Sequence, residues 1–400
     1  MWGYRSTRSA TTRRRGVGDA LRFDASAEQQ ELGAITRRFL EDTVPLTALR
    51  LLGEKNPAGF DRDWWRRAAD LGWTSLLLVP ENLGGSGGSG GGLAELAIVA
   101  EEQGRLVAPG PLLPTSVSAW TLAQAEQTDV VRRALDAIGS GEAVCAWVRG
   151  HDDGPWPQSR PAVRAVRTND TLSLTGVARA VEAGADADYL LVAVCLDDQV
   201  AHVLVHAAHA EQAGLQRQRM HSLDLVRRHA DLTFDSIEIP RAATVIQGDQ
   251  GRIILQRQGQ LANVLQGAEM VGAAARTFEM GLEFAAERYS FGRPLASYQV
   301  LKHRFADMKL WLEASAAAVE GAVAAVADDA PDAAARVSAA KLYVGQKATD
   351  IVQDCIQVHG GIGVTWEHDL HLYLRRVTMD RQLMGTPAEH AEYLAMLIGL

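Results

Sequence analysis

Apolar and polar positions divide the chain into three parts. Between residues 22 and 140, Leu32, Ile35, Phe39 and Leu40 recur at helical spacing among Glu28, Glu31 and Glu41, which predicts a helix with one buried stripe. Asp61 can cap a helix running through Trp64, Trp65 and Ala68 to Leu71, with Gly72 as its stop. Leu76 to Pro80 reads as a short buried run. Gly84 to Gly92, interrupted only by Ser86 and Ser89, has the composition of a flexible linker. Too little chain precedes it for a separate domain, and helical sequence with Glu101 and Glu102 follows at once, so it predicts a long loop inside one helical domain.

From 141 to 245 the helical period fades. Thr171 to Gly176 alternates as a half-buried strand does and then turns, Tyr189 to Val194 predicts a buried strand, and His202–His206 and Asp231–Ile239 alternate again. Short strands with turn signals predict a small β barrel or sandwich. From 246 to 400 the pattern is helical once more. One helix is expected from the Ile253 region to Tyr289. A second follows Pro294, which suits a first helical position, and continues past Leu310 and Leu312. A third runs from Pro331 and Asp332 to Gly360 and Gly361. Long helices with apolar stripes predict an antiparallel four-helix bundle. The expected class is α+β in the order helical domain (22–140), β domain (141–245), helical bundle (246–400), preceded by a disordered tail over 1–21.

Composition narrows the function. The 400 residues are 47% apolar and 22% charged, ordinary for a globular protein. A net charge of −9 argues against a broad nucleic-acid surface, which needs a basic face. Cys145, Cys195 and Cys355 are far apart and odd in number. They form no disulfide framework or metal spacing, which predicts small buried residues and a reducing, cytoplasmic setting. No apolar run is expected to span a membrane. Arg5, Arg8, Arg13, Arg14 and Arg15 precede the first acid, Asp19; this composition fits a disordered tail, an early start codon or an organelle transit peptide.

Two stretches carry candidate chemistry. Arg288-Tyr289-Ser290-Phe291-Gly292-Arg293-Pro294, followed by Ser297-Tyr298-Gln299, lies at the corner between two long helices. Its arginines can cap helix carbonyls, or point off the bundle at a phosphate. Gln357-Val358-His359-Gly360-Gly361-Ile362-Gly363 ends a helix in three close glycines. One glycine is enough for a C-cap; three let backbone N–H groups approach an anion. His359 near such a turn reads as a packed, hydrogen-bonding residue. His368 and His371, expected to start a short helix with Trp366, resemble a metal pair without a third ligand.

In this order the two stretches strongly resemble the C-terminal domain of acyl-CoA dehydrogenases. The resemblance covers Phe23 to the C-terminus. It includes Val79–Gly85 in the first domain and Leu223–Arg228 in the second. It implies FAD as cofactor, with Arg288, Ser290, Phe291, Gln299, Gln357, Gly360, Gly361 and Thr386 contacting a dinucleotide held mainly by a neighbouring subunit. It also implies an acyl-CoA ligand, α,β-dehydrogenation of its thioester and an electron-transfer flavoprotein as acceptor.

The chain departs from that family where the chemistry is done. The reaction needs a carboxylate close to the α-proton. In most members this glutamate precedes a Gly-Thr pair; here Met384 precedes Gly385-Thr386. A minority place it on the first long helix of the last domain, at about Ala262 by counting back from Phe291. Neither residue takes a proton. Glu269, two turns on from Ala262, is the remaining candidate for a displaced base or a structural carboxylate. The flavin-ring loops have changed as well, to Cys145–Asp153 and Ala178–Ala185. The resemblance therefore implies a degenerate subunit of a heteromeric dehydrogenase, of the kind that includes enzymes of steroid side chains. A self-sufficient dehydrogenase using Glu269 and a non-catalytic acyl-CoA or flavin-binding module are the other readings.

Overall fold

The structure, a computed structural model, describes residues 25–78, 87–150, 156 and 160–400. The tail over 1–21, the whole Val79–Gly85 segment and His151–Asp153 lie outside the described residues. The first domain holds α1 (Ala27–Thr43), α2 (Leu46–Lys55), α3 (Arg62–Asp70), α4 (Leu93–Arg105), α5 (Leu112–Ala123) and α6 (Asp129–Gly139). Ser26 and Gln29 form a reciprocal capping box at α1. Asp61 caps α3 by accepting from the Trp64 N–H at 2.8 Å, and Gly72 ends that helix region with φ 87°. Trp64, Trp65 and Trp73 pack edge to face or tilted against one another and against Phe39 and Phe60, so this domain's core is aromatic.

The middle domain is one eight-stranded mixed sheet. Its strands are β1 (Cys145–Val148), β2 (Val163–Thr168), β3 (Thr171–Glu182), β4 (Tyr189–Leu196), β5 (Gln199–His206), β6 (Gln216–Arg219), β7 (His229–Pro240) and β8 (Thr244–Ile246), with a short α7 (Ala207–Gln212) after β5. The order is β6-β7-β3-β2-β4-β5-β8, and β1 joins β4 in parallel beside β2. The alternation of Thr171–Gly176 and Asp231–Ile239 thus reflects strands β3 and β7 paired antiparallel, Leu174 opposite Ile237.

The last domain is a helical bundle of α8 (Asp249–Glu287), α9 (Gln299–Ala327), α10 (Ala333–His359), α11 (Leu370–Gln382) and α12 (Pro387–Leu397), with a two-residue strand pair β9 (Tyr289–Ser290) and β10 (Arg293–Pro294) at the first corner. Pro294 does not open the second helix. It belongs to β10, and α9 starts at Gln299, because the hairpin and a 3₁₀ turn over Leu295–Ser297 intervene. Among the described residues one helix, α9, is long and apolar enough to cross a membrane by length and composition, which no run of large apolar residues foretold. Its apolarity comes from the alanines and valines that fill its second half, from Ala314 to Ala327, around Glu320. Met308, Leu312, Ala316, Val319 and Val323 are buried inside the bundle. Cys145 and Cys355 are buried, and burial pushes both thiols up to about 12.

Two glycines set how α8 meets the first domain. A Cβ on Gly104 of α4 would stand 1.9 Å from the Glu269 carbonyl, and one on Gly272 of α8 would stand 1.9 Å from the Glu101 carbonyl. The helices therefore cross backbone on backbone, and α8 between Leu261 and Ala275 is buried on every side. This central stretch is the wall on which the candidate site is built.

Candidate functional site

The corner after α8 is a two-residue hairpin. Phe291 (φ 50°) and Gly292 (φ 80°) occupy its tip, both in the left-handed region that such turns demand. Tyr298 donates its hydroxyl to the Ser290 carbonyl at 2.8 Å, and the Arg293 guanidinium stacks on the Tyr298 ring at 3.9 Å. An aromatic residue is costly in this backbone region, yet Phe291 is 97% exposed and gains no packing in return. Arg288, Gln299 and Gln357 are exposed, and their side chains make no hydrogen bond or ion pair among the described residues.

The glycine turn after α10 meets this corner. The His359 ring stacks on Phe284, one turn before Arg288, at 4.3 Å, and its Nδ1 donates to the Cys355 carbonyl at 2.7 Å. His359 is thus a spacer that holds the end of α10 against the end of α8. The three glycines answer to different demands. Gly363 has no room for a Cβ, which would lie 2.7 Å from the Ile356 carbonyl; Gly360 needs its φ of 65°. Gly361 needs neither, and a Cβ there would meet nothing within 4 Å. Within the chain nothing requires glycine at 361, which is the condition of a cradle that receives an outside group.

Glu269 lies elsewhere, in a buried ionic cluster. Arg227 Nη2 donates to both of its carboxylate oxygens at 2.7 and 2.6 Å, and Arg376 Nη1 donates to one of them. Arg376 also holds Asp224, and Arg227 also reaches Asp380 at 2.7 Å and Glu182 at 3.4 Å. Lys341 Nζ donates to Gln266 and to the Asp380 and Leu383 carbonyls. Burial, with Glu269 beside it, raises the Asp380 carboxyl, and burial lowers the Lys341 ammonium. Burial alone would raise Asp224 too, but the Arg376 guanidinium outweighs it and holds that carboxyl down at about 2. The cluster ties the β domain to α8, α10 and α11. The Leu223–Arg228 segment singled out in the sequence contributes Asp224 and Arg227 to it.

Above this cluster is a cavity of about 240 Å³ lined by Trp147, Arg149, Glu182, His229, Gln266 and Met384. Beside it is a larger one of about 580 Å³, between α8, α10, α12 and the sheet. Trp156 lies between the two. Arg149 stacks on its ring at 4.0 Å, and burial lowers that guanidinium to about 10. A Cβ on Gly385 would touch the Trp156 ring at 2.7 Å. Met384 stands with φ 57° at the junction, and its carbonyl accepts from Asn263 Nδ2 at 3.3 Å and from His390 Nε2 at 3.0 Å. Burial brings His390 down to about 4, so its imidazole is neutral. Thr386, after Gly385, caps α12 in a reciprocal capping box with Glu389.

Two family profiles match the chain: "Acyl-CoA dehydrogenase, N-terminal domain" over residues 26–142 and "Acyl-CoA dehydrogenase, C-terminal domain" over 249–398. The acyl-CoA dehydrogenase IpdE2 of Mycobacterium tuberculosis is 30% identical over 363 residues, 88% of this chain and 94% of that protein. The chain belongs to the acyl-CoA dehydrogenase family. Among solved structures, a variant of the Tcur3481–Tcur3483 steroid ACAD superposes with a TM-score of 0.81 at 27% identity, over 93% of this chain and 98% of that one. The ChsE4–ChsE5 complex of Mycobacterium tuberculosis shares the fold, with a TM-score of 0.82 at 24% identity over 94% and 98% of the two chains.

FAD is the cofactor of acyl-CoA dehydrogenases, and the residues here fit its two halves unequally. The exposed Arg288 corner and the open Gly361 offer donors and backbone room to a phosphate-bearing group arriving from outside. At the other end, the changed segment Ala178–Ala185 carries Glu182, which lines the smaller cavity and whose carboxyl is raised chiefly by burial. Sequence reasoning did not single out Asn263. Counting back from Phe291 points to Ala262, which is buried in the core, whereas the neighbouring Asn263 lines the larger cavity and touches the Met384 carbonyl.

Proposed function

We propose that this chain is the base-less subunit of a heteromeric, FAD-dependent acyl-CoA dehydrogenase, paired with a related subunit and passing electrons to an electron-transfer flavoprotein. The carrying observation is an asymmetry within one chain. The ADP-side groups Arg288, Gln299, Gln357 and Gly361 are presented outward without partners among the described residues. The two positions at which the family resemblance would put a base hold Met384 and Ala262, neither of which takes a proton. FAD, when bound, supplies the acceptor for the β-hydride. This chain's part is to hold the dinucleotide's phosphates through Arg288 and the backbone N–H groups of the glycine turn, and to shape an acyl pocket around α8. Glu269 is structural in this reading, since Arg227 and Arg376 occupy its lone pairs.

The test is expression alone and together with acyl-CoA dehydrogenase subunits from the same genome. The expected result is a colourless protein alone and a yellow, acyl-CoA-oxidising complex with its partner. A solo protein that carries flavin and turns over an acyl-CoA would refute the proposal.

A further inference from the structure

Gln266 presents a hydrogen-bond donor that its own chain leaves unused. It lies on the central stretch of α8 among Ala262, Val264, Leu265 and Ala268, and it is 1% exposed. Its Oε1 accepts from Lys341 Nζ at 3.0 Å. An ammonium only donates, so the amide cannot be turned round. That fixes Nε2 as the free end. It has no partner among the described residues, and it keeps accessible surface where Gln266 lines the cavity of about 240 Å³. A donor set so deep is a cost unless water or a ligand accepts from it. The Lys341 charge also draws on the amide oxygen, which makes the nitrogen a better donor.

The amide is also held beside the place where a thioester would react. Lys341 Nζ donates to the Leu383 carbonyl at 2.8 Å, so one ammonium ties the Gln266 amide to the turn that carries Met384. Met384 lines the same cavity and stands before Gly385-Thr386, where the family resemblance puts the group that faces the α-proton. The thioester carbonyl is bonded directly to that α-carbon. Among the other donors on this cavity, Trp147 Nε1 is committed to Gln258 at 3.0 Å, Arg179 to Asp231 at 3.3 Å, and Arg149 stacks on the Trp156 ring. We infer that Gln266 holds the carbonyl oxygen of an acyl thioester by donating Nε2 to it, and so makes the smaller cavity selective for thioesters over thioethers of CoA. This rests on the reading above, in which an acyl-CoA enters beside Met384. Since neither Met384 nor Ala262 takes a proton, the thioester is bound there without being oxidised by this chain.

Infrared difference spectra of the purified full chain with octanoyl-CoA, labelled with carbon-13 at its carbonyl, read the contact directly. A carbonyl that accepts a hydrogen bond absorbs at lower frequency than an unbonded one. The expected result is one narrow band on the low side, which moves up in Gln266→Met, a variant that keeps the side chain's length and loses its amide. Isothermal titration supplies the second readout. Octanoyl-CoA is expected to bind about tenfold more tightly than S-octyl-CoA, the thioether without a carbonyl, which is the change one good hydrogen bond to a buried group makes; Gln266→Met should bind the two alike. Equal affinities, or an unbonded carbonyl, in the unaltered protein would overturn the inference without any variant, so it stays open to test even where loss of a Lys341 partner unfolds Gln266→Met. A low band that persists in the folded variant would give the carbonyl to another donor, Arg149 first, and overturn it as well. Binding of neither ligand would instead bring down the underlying reading of this space as an acyl-CoA site, a failure distinct from the others.

Discussion

Glu269 shows how burial and partners decide a residue's role. A general base needs a lone pair turned toward the substrate, whereas both Glu269 oxygens face guanidinium groups. Four carboxylates (Glu182, Asp224, Glu269 and Asp380) share three buried cations (Arg227, Arg376 and Lys341). Removing one partner from such a cluster leaves charges that cannot reach water, and breaking a buried pair costs about 3–5 kcal/mol. Glu269→Gln is therefore expected to lower the unfolding free energy in urea by an amount of that order. At the same time, the loss of its negative charge removes one of the causes that raise Asp380. A catalytic Glu269 would behave oppositely: turnover of the flavin-loaded complex would vanish in the variant while the urea midpoint stayed in place.

At the scale of elements, the crossing of α4 and α8 through Gly104 and Gly272 fixes the wall that carries Glu269, Asn263 and Gln266. Gly272→Ala would drive a methyl into the Glu101 carbonyl, and since that obstacle is backbone, the helices must part. Overpacking of this kind costs about 1–3 kcal/mol. The expected outcome is a lower melting temperature together with weaker acyl-CoA binding, because the α8 wall moves; an unchanged melting temperature would show that the helices slide at no cost. The long helices themselves were legible in the sequence, since an apolar stripe kept over 39, 29 or 27 residues is far too long for a strand. The glycine turn was legible too, because its three glycines lie within four positions of one another. The helix crossing was not, because a glycine inside a helix reads only as a weak destabiliser. Nor was the ionic cluster, whose members come from Glu182 to Asp380 and meet only through tertiary packing. The start of α9 was misplaced because Pro294 fits the first position of a helix and the edge of a hairpin equally well.

Over the whole molecule, the end of the bundle where α8 stops and α10 turns exposes large apolar side chains. Phe291 is 97% exposed, Val364 72% and Ile362 52%. These flank the groups proposed to reach another subunit's dinucleotide. Single exposed apolar residues are common on monomers, but three large ones on the turns that also carry the exposed Arg288, Gln299 and Gln357 have the make-up of an interface. Phe291 is the sharpest probe, because it touches almost nothing in its own chain and sits at a backbone angle that aspartate tolerates better than phenylalanine. Phe291→Asp should therefore leave the melting temperature of the isolated chain unchanged or slightly raised. In sedimentation velocity of the co-expressed proteins, the same variant should shift the complex toward free chains and reduce flavin content in step. Flavin lost without dissociation would mean that Phe291 contacts the dinucleotide but does not hold the subunits together. Neither effect would place the partner on another face of the bundle, and the outward-facing Arg288 corner would then lose its proposed role.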